Sequence, residues 1–178
     1  MGIPTLIGSA HTASNAASID ITSGIDSTYD EYMFVCTDIG PATDGATFQF
    51  QFNVAGASGF DETITSTFFH AYHNESDAEA NLEYHTSSDQ AQGTAYQTFG
   101  YAIDNDADAS LAGALHLFNP SNTTYVKHFY GRCNYLGLER SYDSYVAGYV
   151  NTTSAIDEIS FKFSSGNFDG VIQMYGIS

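Results

Sequence analysis

A chain of 178 residues, 43% hydrophobic and with 13 Tyr and 13 Phe, can bury one sizeable core, is short for two, and lies far from a disordered composition. Four basic residues, Lys127, Arg132, Arg140 and Lys162, face 21 acidic ones for a formal net charge of -17. That balance argues against a nucleic-acid partner and an anionic membrane surface, both of which are gripped through Lys and Arg. It suits a soluble, self-repelling surface in high salt or in a crowded assembly, or, more sharply, a basic partner.

From the N-terminus, MGIPTLIGSAHTASNA has no basic n-region and only a scrap of an apolar h-region, so no secretory signal is expected and synthesis is expected in the cytoplasm. Residues 1–15 are expected to form a first strand, Thr5 to Ser9, or a docking arm. Strict alternation follows in Ile19-Asp20-Ile21-Thr22. Tyr32 to Ile39 is apolar on both faces, Tyr32, Phe34 and Cys36 against Met33, Val35 and Ile39, as a central strand would be. In Ala46 to Val54, Phe48, Phe50, Phe52 and Val54 share one face and Thr47, Gln49, Gln51 and Asn53 the other, the period of a half-buried strand. Ile64 to His73 is the next strand. Asn74 to Gly93 is the least strand-like stretch. Glu75 to Leu82 is expected to make a short helix within a long crossover loop spanning 74–95, the kind of connection in which binding residues often lie.

Tyr96 to Ile103, Leu111 to Phe118, Thr124 to Tyr135, Ser144 to Val150, Asp157 to Phe163 and Val171 to Ile177 complete eleven candidate strands. Turn formers such as Pro41-Ala42-Thr43-Asp44-Gly45, Asn119-Pro120-Ser121-Asn122 and Ser164-Ser165-Gly166-Asn167 separate them at short, regular intervals. The expected fold is a single all-β domain over 1–178, an antiparallel two-sheet β-sandwich of jelly-roll type with about 8–11 strands. No stretch approaches the ~18 apolar residues of a membrane-spanning helix.

Little in the sequence points to chemistry. His70 and His73, three apart on a strand, point to opposite faces; His116, between Leu115 and Leu117, reads as a hydrogen-bonded strand residue. His11, His85 and His128 have no acidic or thiol neighbour at a ligand spacing. Asp104, Asp106 and Asp108 alternate like the start of a calcium loop but lack the glycine and the bidentate glutamate that complete an EF-hand, so a solvated acidic turn is the plainer reading. Cys36 and Cys133 fit two buried thiols better than a disulfide framework, with a single bridge left open. The sequons at Asn74, Asn122 and Asn151 read as polar turn residues. There is no nucleophile elbow, catalytic cysteine signature or phosphate loop. No catalytic residue, cofactor or metal ligand is assigned, and an enzyme is not expected. The lack of Trp weakens a sugar-stacking groove, although the 13 Tyr could stand in.

Several strings carry a resemblance: Ala16-Ala17-Ser18-Ile19-Asp20-Ile21-Thr22-Ser23-Gly24-Ile25-Asp26-Ser27-Thr28-Tyr29-Asp30-Glu31-Tyr32, Leu115-His116-Leu117-Phe118-Asn119-Pro120, and Ser164-Ser165-Gly166-Asn167-Phe168 with Tyr175-Gly176-Ile177. Together they resemble small virion proteins of tailed phages, marine ones especially. The resemblance implies a β-sandwich on the virion surface, either a capsid decoration (cement) subunit or a tail-fibre or receptor-binding head that recognises a host glycan. It implies other virion proteins as partners and a homo-oligomer, a trimer among its forms. It anchors no site residues.

Overall fold

The computed structural model describes residues 2–178. Fourteen strands form: β1 (Thr5–Leu6), β2 (His11–Ala16), β3 (Ser18–Ile21), β4 (Glu31–Pro41), β5 (Ala46–Val54), β6 (Ile64–Asn74), β7 (Ala80–Tyr84), β8 (Ala91–Gly93), β9 (Gln97–Ile103), β10 (Leu111–Phe118), β11 (Lys127–Gly137), β12 (Arg140–Val150), β13 (Ile156–Phe163) and β14 (Phe168–Ile177). They make two antiparallel sheets. The larger has ten strands in the order β1-β14-β4-β10-β11-β12-β6-β7, with β2 also on β14 and β8 also on β6; the smaller has four, β3-β13-β5-β9. The chain passes repeatedly between the sheets, and the all-β sandwich expected from the alternation is the fold observed.

Phenylalanines hold the layers together. Phe48, Phe50 and Phe52 on β5 and Phe161 and Phe163 on β13 meet Phe34, Phe129 and Phe168 from the larger sheet. Phe50 meets Phe129 edge-on at 5.4 Å, and Phe34 lies 5.8 Å from Phe161. Such offset and edge contacts add to the burial of each ring. The polar face of β5 is covered too. Gln51, fully buried, donates from Nε2 to the carbonyls of Glu62, Thr94 and Ala95 and accepts from Phe52 N–H, tying two loops across the outside of the smaller sheet.

Three strands exceed the eleven expected. Two of them, β7 and β8, lie in the 74–95 segment, where the helix over Glu75 to Leu82 does not form. Asn74 Oδ1 instead accepts the amides of Ala78 and Glu79, and Asp77 takes φ 57°. This turn lays Ala80–Tyr84 antiparallel along β6, Phe69 opposite Tyr84 and His73 opposite Ala80. Helix propensity in so short a stretch is weak against the open hydrogen-bonding edge of β6. The third, β2, is a polar strand on β14, where β1 also pairs.

Cys36 and Cys133 are both buried and free. Both stand opposite Gly113, from β4 and β11 on its two sides, so their Cα atoms are two strand spacings, about 9.6 Å, apart. That exceeds disulfide reach. Cys133 Sγ donates to the Phe99 carbonyl at 3.0 Å.

Candidate interaction face

A solvent-facing sheet in an antiparallel sandwich ordinarily carries polar residues. The outer face of the ten-stranded sheet instead interleaves aromatic and small apolar side chains with polar ones. The strand registers place its side chains in rows. One row runs Tyr175, Met33, His116, Tyr130, Ala147 and Thr67 across β14, β4, β10, β11, β12 and β6. The next runs Gln173, Val35, Ala114, Arg132, Tyr145 and Phe69, with Tyr84 at the β7 edge. A third carries Ala112, Asn134, Asp143, Ala71 and Leu82. On the other side of the first row lie Ile177, Glu31 and Phe118, then His128, Tyr149 and Thr65.

The rings on this face stack on each other. His116 lies 4.6 Å from Tyr130 and Tyr130 5.6 Å from Phe118, all near-parallel. Phe69 and Tyr145 stack at 4.9 Å with 4° between planes, and the Arg132 guanidinium sits 5.1 Å over Tyr145. Tyr130 is 47% exposed, Phe69 40% and Leu82 69%. The ionised groups in these rows are Glu31, Asp143 and Arg132. Arg132 holds Asp143 through two hydrogen bonds, of 2.8 and 2.9 Å, and keeps that carboxyl below the usual range. Glu31 Oε1 lies 2.5 Å from His116 Nδ1, so His116 is the hydrogen-bonded strand residue expected. The face therefore carries a net -1 of the molecule's -17.

At one end of the face is a groove of about 500 Å³ rimmed by Phe118, Tyr125 and His128, with Asn122 and Thr153. Asn122 Oδ1 accepts the amides of Thr124 and Tyr125 and so sets the loop that displays Tyr125. Beneath it the buried Lys127 Nζ donates to the carbonyls of Tyr125, at 2.8 Å, and Thr152, at 3.4 Å, and burial pushes its pKa down.

The opposite end is acidic. Asp38, Asp106, Asp108 and Asp169 line one hollow and Asp44, Asp104 and Glu139 another. Asp104 is itself buried, its carboxylate accepting the amides of Leu138 and Glu139, at 2.8 and 3.3 Å. It is thereby committed to the turn between β11 and β12. Among the described residues no three His, Cys, Asp or Glu side chains are placed to hold a metal ion.

One titratable cluster was not visible in the sequence. His70 faces inward and His73 outward, as the spacing predicts. The β6–β7 hairpin then brings His85 to 5.1 Å from His70, ring to ring, and Glu83 Oε1 to 2.9 Å from His70 Nε2. Donation to the carboxylate fixes the proton on Nε2, leaving the buried Nδ1 without a partner. His85 Nδ1 lies 2.8 Å from Ser88 Oγ, and burial, then His70, lower the His85 pKa. The pairing needs the hairpin register, which no residue spacing reveals.

No protein-family model matches the chain, and no curated protein matches it.

Proposed function

We propose that the protein is a non-enzymatic structural subunit of a phage virion, placed on the particle exterior as a capsid decoration (cement) subunit. The observation that carries this reading is the near-neutral aromatic face of an otherwise strongly acidic molecule. Tyr, Phe, Met and Arg are enriched at interface cores and Lys, Glu and Asp depleted; these rows hold five Tyr, two Phe, Met33 and Arg132 against two carboxylates and no Lys. An exposed patch of this extent marks an interaction site. The acidic remainder would keep decorated particles dispersed in salt water. The resemblance to small virion proteins of tailed phages supplies the setting.

The test is co-sedimentation of the purified chain with particles lacking it, followed by electron cryo-microscopy. Retention of the wild type at regular positions between capsomers is the expected result. A chain that no particle retains overturns the reading.

The groove at Phe118, Tyr125 and His128 favours a second reading, a tail-fibre or receptor-binding head that recognises a host glycan. Its uncharged, aromatic rim with amide and hydroxyl groups suits the apolar face and hydroxyls of a neutral sugar. That reading predicts glycan binding by the isolated chain, abolished by Tyr125→Ala.

A further inference from the structure

Resting on the reading of the outer face as an assembly surface, we infer that its occupant is a second copy of this chain, packed face to face about a two-fold axis. Charge is the first argument. Two copies each carry -17, and association through most of their surface would press carboxylates together; the aromatic rows, at net -1, are where two copies can meet without that repulsion. A basic partner finds no pull there, since Asp143 is already held by Arg132 and Glu31 lies against His116.

Area is the second argument. The 24 positions of these rows, on strands about 4.8 Å apart and in rows about 6.7 Å apart, give a face of roughly 770 Å². A standard stable interface takes roughly 800 Å² from each partner, so one copy of the face suits another in extent.

Shape and chemistry are the third. A two-fold pairing requires a patch complementary to itself. The centre of these rows holds Tyr130 and Tyr145, flat rings that pack against like rings, beside Arg132 and Asp143, whose charges cancel within each chain and so set no repulsion between one copy of the pair and the other. Two sheets can pack about 10 Å apart in this way, as the layers of a sandwich do.

The salt response separates this partner from a charged one. Between about 0.01 M and about 1 M salt the Debye length falls from about 30 Å to about 3 Å, which screens the repulsion between copies. Sedimentation velocity of the full chain over a dilution series is therefore expected to show a monomer–dimer equilibrium whose dissociation constant falls at least about tenfold with added salt. Tyr130→Asp and Phe69→Asp are each expected to weaken the dimer by about 30-fold or more, the effect of losing an aromatic contact of the face, with far-ultraviolet circular dichroism unchanged. Ser165→Asp, exposed in the loop between β13 and β14, is expected to leave the association unchanged apart from its small addition to the charge. A chain that stays monomeric at every concentration and salt overturns the inference, as does association that weakens with salt, that survives both face substitutions, or that closes as a trimer. The two readings fail separately. A monomer that particles still retain overturns the pairing and leaves the decoration role; a dimer that no particle retains does the reverse.

Discussion

Leu138 and Glu139 close the β11–β12 hairpin with φ of 53° and 56°. Gly137 pairs with Arg140, so these two residues are the whole loop, and positive φ at both is the geometry of a primed turn that prefers Asn-Gly or Asp-Gly. For Leu and Glu each left-handed residue costs about 1–2 kcal/mol. The Asp104 carboxylate offsets that strain by accepting both loop amides; charge-assisted bonds of this kind contribute about 1.5–3 kcal/mol. Two consequences can be measured by urea denaturation. Replacing the loop by Asn-Gly, Leu138→Asn with Glu139→Gly, is expected to stabilise the domain by roughly 1–2 kcal/mol, since the amides and Asp104 stay while the strain goes. Asp104→Ala is expected to destabilise it by about 2 kcal/mol or more, leaving two amides unpaired. An Asp104→Ala chain as stable as the wild type would return this carboxylate to the solvated turn read from its sequence neighbours.

At the scale of elements, the β6–β7 hairpin joins edge exposure to a titratable cluster. Strand β7 is exposed along most of its length and pairs with β6 alone, so little beyond that ladder and the His70, His85 and Glu83 contacts holds it. Burial keeps the His85 pKa below its ordinary 6.5, so on acidification the unfolded chain takes up the proton first and the folded state loses stability below that pH. Glu83 is also held below its ordinary 4.5, chiefly by the hydrogen bond with His70; its contribution is complete above that value and is lost as pH falls through the lower folded one. Both signs agree. The amides of β7 are expected to exchange faster as pH drops from 7 to 5, after correction for intrinsic rates, and His85→Gln is expected to flatten the change above the carboxylate range. The same elements show what the sequence could reveal. Alternation located β5 to the residue, because one apolar face against one polar face is a local signal. It missed β2 and β7, whose sequences His11-Thr12-Ala13-Ser14-Asn15-Ala16 and Ala80-Asn81-Leu82-Glu83-Tyr84 acquire strand geometry from a neighbour's edge. Tyr130, Tyr145 and Phe69 were equally legible as single strand residues. Their rows were not, because a shared face depends on strand order and register, which alternation leaves open.

For the whole molecule, charge has an internal effect that must be separated from its effect on association. A net charge of -17 on 178 residues repels itself in the compact state, and the concentration of Asp and Glu side chains at one end of the sandwich places much of that repulsion within a single Debye length at low salt. Added salt is therefore expected to raise the melting temperature of even a monomer. Dimerisation raises it as well, because a partner that binds the folded chain stabilises it by mass action, but that increment depends on protein concentration. Tyr130→Asp serves as the reference. It adds a carboxylate to the face and weakens pairing by about 30-fold or more, so over the range in which only the wild type pairs its melting temperature is expected to rise with salt and to show no dependence on concentration. The wild type is expected to follow the same salt curve when dilute and to climb above it as it is concentrated. Wild-type and variant curves that coincide at all concentrations would assign the whole salt response to self-repulsion within one chain and leave the aromatic face to a different partner.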